Sequence, residues 1–146
     1  MIILAFDQAY SGATGWAVFS GHDLVDYGKF ETGGNLKLFN THVASLLATH
    51  NPDRVYYEGI YNNNNANTFK RLAQVQGALL SLCEDAEEVY PTSWRSILKL
   101  RARGRTAQKQ EAQAYVLEHF GIKVVQDVAD AILIGYSQVS QELNFE

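Results

Sequence analysis

Four acidic side chains stand at places where an oxygen-rich site could form. Asp7 closes the apolar run Met1 to Phe6, Glu58 closes the short run Arg54 to Tyr57, and Asp127 and Asp130 stand three residues apart in Asp127-Val128-Ala129-Asp130-Ala131-Ile132. Spacing of i and i+3 puts the last two on one helix face. Carboxylates gathered in a site of reduced dielectric, without matching lysines, repel one another, so such a set needs cations. Hard oxygen donors suit Mg2+ or Mn2+. Two divalent ions would supply about +4 against the formal charge of -4. Held roughly 4 Å apart, such a pair clamps a phosphodiester, one ion activating the attacking water and the other stabilising the leaving oxygen. Singly, the aspartates have plainer readings: Asp127 as a helix N-cap, Asp130 in the dipole field of the first turn, Asp7 as a turn residue. Glu58 is a poor turn residue, and Asp130 enters a helix that continues apolar nearly all round.

The elements needed to bring these acids together are legible from periodicity. Ile2 to Phe6 is the continuous apolar run of a strand buried on both faces, surfacing at Asp7. Ala13 to Ser20 and Leu24 to Glu31 follow across turns as hairpin-connected strands. Leu36, Phe39, Val43, Leu46 and Leu47 recur at helical spacing, and Asn51-Pro52-Asp53 stops that helix. A fourth strand delivers Glu58. Asn67 to Cys83 reads as a helix with one apolar face interrupted only by Gln76, Glu87 to Tyr90 as a fifth strand, and Thr92 to Leu98, Thr106 to Phe120 and Asp127 to Leu143 as helices. The pattern predicts an α/β domain with a mixed sheet. Parallel pairing of the first and fourth strands would set Asp7 and Glu58 at one sheet edge, where open α/β sheets place their sites.

Length and composition narrow the function classes. The chain has 146 residues, 47% hydrophobic, enough for one domain with a real core, and residues 1–146 are read as a single unit. One cysteine, Cys83, excludes an internal disulfide framework and a cysteine-rich zinc site. The apolar runs are too short to span a bilayer and no basic leader precedes the first strand, so a soluble cytoplasmic protein is expected. His22, His42, His50 and His119 are scattered without metal-ligand spacing.

The overall acidity hides a basic stretch. Between Arg95 and Lys109 lie six of the 12 Lys and Arg residues and no acid: Arg95, Lys99, Arg101, Arg103, Arg105 and Lys109. Arg101-Ala102-Arg103-Gly104-Arg105 reads as a loop feeding a helix capped by Thr106, where guanidinium groups and free N–H groups could both meet phosphate. The alternative is a solvated loop balancing the acidic Glu84 to Glu88 segment. Tyr61 and the asparagines after it, Asn62 and Asn63 first, offer a stacking ring and amides that donate or accept; equally, Tyr61 could cover the sheet edge while the asparagines make a turn. Trp16 and Tyr56 alternate within strands and are expected in the core, and Phe69 could serve the core or a dimer contact.

Taken in order, the pieces Ile3-Leu4-Ala5-Phe6-Asp7, Thr14-Gly15-Trp16-Ala17-Val18, Tyr57-Glu58-Gly59-Ile60-Tyr61, Asn65-Ala66-Asn67, Leu72 to Ala78 and Asp127-Val128-Ala129-Asp130-Ala131 resemble the RuvC-like Holliday junction resolvases of the ribonuclease H-like superfamily. The resemblance implies a five-stranded mixed sheet flanked by helices, a homodimer, and paired nicking of four-way DNA junctions by metal-dependent hydrolysis; with the hard carboxylate donors, Mg2+ is the expected metal, two ions per site, with Mn2+ able to substitute. It assigns Asp7, Glu58, Asp127 and Asp130 to metal binding, Tyr61 to base stacking and Lys109 to the scissile phosphate. The loop Gln8 to Thr14 is one residue longer than the usual cellular pattern and lacks a glycine two places after Asp7. Many cellular members carry a histidine where Asp127 stands, so the all-carboxylate set is more like that of phage relatives, which would place the protein in a host cell's cytoplasm. The other readings are a ribonuclease H-type nuclease on RNA/DNA hybrids and an actin-like nucleotide-binding module, whose phosphate loop Asp7 to Thr14 also resembles.

Overall fold

The computed structural model describes residues 1–60 and 65–144. Five strands, β1 (Ile2–Asp7), β2 (Ala13–Ser20), β3 (Asp23–Glu31), β4 (Arg54–Glu58) and β5 (Glu87–Val89), form one sheet in the order β3-β2-β1-β4-β5. β1 runs antiparallel to β2 and parallel to β4, and β4 parallel to β5. The helices are α1 (Leu36–His50), α2 (Ala66–Leu82), α3 (Pro91–Ile97), α4 (Arg105–Phe120) and α5 (Gln126–Asn144). The expected mixed α/β architecture is therefore present, with element ends differing by a residue or two.

The apolar run of β1 is explained by two cores, one on each face of the sheet. Ile3 and Ala5 point into a cluster with Ala17, Phe19, Trp94, Val116 and the apolar face of α5, whereas Leu4 and Phe6 point into one with Val18, Phe39, Val43, Val75 and Leu79. All four β1 residues are buried because helices cover both sides, the condition under which strand alternation of polarity disappears. Gln76, the polar interruption on α2, donates from Nε2 to the Tyr57 hydroxyl at 3.4 Å, so it satisfies a polar group at the core margin.

Two glycines let the sheet carry α5 close. A Cβ on Gly15 would overlap the main chain of Asp127, and one on Gly135 would lie 2.8 Å from the Phe19 ring and 3.2 Å from Ala5 Cβ. The first of these contacts seats the start of α5 directly against β2, beside Asp7, which pairs with Gly15.

Several expectations are corrected. Thr106 does not cap α4: the helix begins at Arg105 with Gly104 at the N-cap, φ 86°, and no side chain caps it. Asp127 lies in the first turn of α5 rather than at its cap. Trp16 is only partly buried, its ring 5.9 Å from His50, while Tyr56 is buried as expected. Phe69 is 42% exposed and contributes little to the core.

Candidate active site

β1 and β4 end together. Their register, Phe6 opposite Tyr57, places Asp7 and Glu58 side by side at the carboxyl edge of the sheet. α5 then brings Asp130 to the same point, through the close approach at Gly15. One carboxylate oxygen from each of Asp7, Glu58 and Asp130 lies within 4.8 Å of the other two. Asp127, one turn earlier on α5, lies outside that trio but close enough for its charge to act on Asp7.

The electrostatics follow from crowding acids in a partly desolvated place. Burial, then the charges of Glu58, Asp130 and Asp127, hold the Asp7 carboxyl well above the ordinary carboxylate range. Burial and the Asp130 charge push Glu58 up to about 7, opposed by a hydrogen bond with Asp7 and the charge of Arg95. Asp130 is pushed up to about 6, chiefly by burial, against the hydrogen bond from Gln126 and the charges of Arg95 and Lys109. Asp127 is also raised by burial, while Lys29 and Lys109 pull it down. A hydrogen bond between the Asp7 and Glu58 carboxyls requires a proton on one of them, the usual way that crowded acids settle without a cation.

The residues present fit divalent metal. All three donors are hard carboxylate oxygens from separate elements. Gln126 Nε2 donates to Asp130 Oδ2 at 3.3 Å, but Asp130 Oδ1 is buried with no hydrogen-bond partner among the described residues. An acceptor left so is costly, and a cation beside it would satisfy it.

Lys109, half-buried on α4, is near enough to lower both α5 aspartates. Arg101, Arg103 and Arg105 are exposed and form no side-chain hydrogen bond or ion pair among the described residues. Tyr61, Asn62 and Asn63 lie outside the described residues.

Three contributors were not singled out by spacing alone. Arg95 on α3, its guanidinium 4.4 Å from the Trp94 ring centroid, acts electrostatically on Glu58 and Asp130. Glu111, just beyond the basic stretch, accepts the main-chain N–H groups of Arg101 and Ala102 at 3.1 Å and so pins the arginine loop to α4. Gln126 orients Asp130. A cleft of about 330 Å3 between α3 and α4 is lined by Thr92, Arg95, Ser96, Lys99, Arg101 and Gln108. A larger one, about 420 Å3, includes His22, Asp23, His119 and Tyr136 at the β2–β3 hairpin, the end of β1 opposite Asp7.

Mixed-sheet order, helices on both faces and acids at the ends of β1 and β4 define a ribonuclease H-like α/β fold. The model of the family described as crossover junction endodeoxyribonuclease RuvC matches residues 17–137, and the chain belongs to that family. The RuvC of Zymomonas mobilis is 29% identical over 92% of this chain and 87% of its own. That of Erythrobacter litoralis is 33% identical over 56% of each. Among solved structures, Thermus thermophilus RuvC in complex with a Holliday junction substrate superposes with a TM-score of 0.81 at 15% identity, covering 99% of this chain and 96% of that one. The yeast mitochondrial Holliday junction resolvase Ydc2 gives 0.63 at 14% identity, covering 98% and 80%. Dependence on divalent metal goes with the family. Glu58, Lys109, Asp127 and Asp130 fall inside the matched region; Asp7 precedes it.

Proposed function

We propose that this chain is a metal-dependent endonuclease that resolves Holliday junctions by paired, symmetric phosphodiester hydrolysis. The observation that carries the reading is the meeting of Asp7, Glu58 and Asp130 at one sheet edge in a chain of the RuvC family. Asp7, Glu58 and Asp130 would hold Mg2+, with Asp127 completing the shell of a second ion and Mn2+ able to replace either. Bound there, the ions supply water activation and stabilisation of the leaving oxygen. Everything else is the work of the chain's own side chains. Gln126 fixes the orientation of Asp130, Arg95 favours the ionised forms of Glu58 and Asp130, and Lys109 brings a positive charge toward the phosphate.

Substrate is read from charge and from symmetry. The uncapped start of α4, with Arg101, Arg103 and Arg105 around it, offers N–H groups and guanidiniums to a sugar–phosphate backbone. Tyr61, Asn62 and Asn63, next to Glu58 in sequence, are assigned to the opened bases. Resolving a junction evenly takes two nicks on opposed strands, for which a two-fold homodimer is suited. Among the described residues no helix is long and apolar enough to cross a membrane, and the site of action proposed is cytoplasmic DNA, that of a host cell if the source is a phage.

The test is nicking of an immobile four-way junction, an RNA/DNA hybrid and a flap, each with EDTA, Mg2+ or Mn2+. Paired, metal-dependent cuts in the junction are expected. Preferential cutting of the hybrid's RNA strand would instead establish a ribonuclease H activity.

A further inference from the structure

We infer that Gln8 is a positioning residue for the acidic cluster, its side-chain amide standing in for a strand's main chain to fix Glu58 relative to Asp7. The parallel ladder of β1 and β4 runs from Ile3 opposite Arg54 to Phe6 opposite Tyr57, ending one residue before each acid. On its outer side the end of β4 is held by β5, where Glu58 lies opposite Val89 and the Gly59 N–H donates to the Val89 carbonyl at 2.9 Å. On its inner side the ladder has stopped, and the chain after Asp7 turns away toward β2.

Gln8 fills that gap from its side chain. Its Nε2 donates to the Glu58 carbonyl at 2.7 Å and its Oε1 accepts the Glu58 N–H at 3.1 Å. A primary carboxamide presents an N–H and a C=O on the same edge, the complement of the N–H and C=O that an extended residue shows on one side, so a single side chain continues the ladder by one step. Gln8 is only 7% exposed, so water does not compete for these two bonds. The turn behind it is closed: the buried Thr14 hydroxyl accepts the Ala9 N–H at 3.0 Å, and the Tyr10 carbonyl accepts the Gly34 N–H at 2.9 Å. Gln8 itself follows Asp7 directly, so its amide ties the main chains that carry two of the three converging carboxylates.

No other side chain of similar size does this. Glutamate lacks the donor, methionine lacks both groups, and asparagine is a methylene too short to span both bonds. Partners that orient the groups around a metal typically change affinity by about 10- to 100-fold when removed. The inference rests on the reading of the cluster as a metal site.

The experiment is a Mn2+ titration of the metal-stripped 146-residue chain, followed by the electron paramagnetic resonance signal of free Mn2+, alongside thermal unfolding in EDTA. Gln8→Met should weaken Mn2+ binding at least about tenfold, with Gln8→Asn intermediate. Val43→Ala, on α1 in the core cluster between that helix and the sheet, should lower the melting temperature while leaving Mn2+ affinity within about twofold of the parent. Parental affinity in Gln8→Met, or in Gln8→Asn if the methionine variant does not fold, would overturn the positioning role and leave the metal site standing. No Mn2+ binding by the parent would overturn the metal reading and this inference with it.

Discussion

Glu58→Gln should make the metal-free protein more stable at pH 8 and at the same time remove its response to divalent ions. Burial and the neighbouring Asp130 charge raise the Glu58 carboxyl from 4.5 to about 7. At about 1.4 kcal/mol per pH unit, keeping Glu58 ionised in the empty fold costs roughly 3 kcal/mol. The sign follows from proton counting. Between pH 4.5 and 7 the folded protein holds a proton that the unfolded chain has released, so stability falls as pH rises through that window and the full cost is present above it. Glutamine cannot ionise and escapes the cost. In EDTA at pH 8 the variant should therefore melt about 6–12 °C above the parent, and at pH 4 the two should nearly coincide. Mn2+ should raise the parent's melting temperature at pH 8 and leave the variant's nearly unchanged. Circular dichroism melts at the two pH values, with and without Mn2+, decide the matter. A variant less stable than the parent in EDTA at pH 8, or a gain of equal size at both pH values, would refute the assignment of Glu58 to a crowded, desolvated cluster.

Asp7→Asn should abolish junction nicking, by at least about a hundredfold, while retaining junction binding measured by gel shift, because it removes a donor without touching the cationic loop. Gly15→Ala should push α5 away from β2, costing about 1–3 kcal/mol by denaturant unfolding and lowering nicking more than any change confined to stability. Replacing Arg101, Arg103 and Arg105 together with alanine should weaken junction binding and flatten the dependence of log K on log salt by about 2–3, as expected for three lost phosphate contacts; an unchanged slope would exclude these residues from the interface.

What could be read from the residues and what could not divide along a physical line. Asp7, Glu58 and Asp130 were legible because each ends or begins a strongly patterned element, and parallel pairing of two such strands leaves few places for their last residues to go. The position of Asp127 was less so: spacing puts it on the face of Asp130, but one helical turn moves it out of the converging trio. Arg95 belongs to a short helix whose contact with the site is purely tertiary, so its place among the basic residues gave no hint that its charge acts on Glu58. Thr106 looked like a cap because threonine commonly is one; Gly104, at φ 86°, takes the position since the loop must reverse there. The odd glutamine on α2 had no local explanation, because its partner, the Tyr57 hydroxyl, lies 19 residues away.

Diffraction from crystals soaked in Mn2+, with data collected at the manganese edge, looks at the ions themselves. Two anomalous peaks about 4 Å apart, one among Asp7, Glu58 and Asp130 and the other toward Asp127, are the expected result. A pocket without a peak, with the three carboxylates still converging, would contradict it.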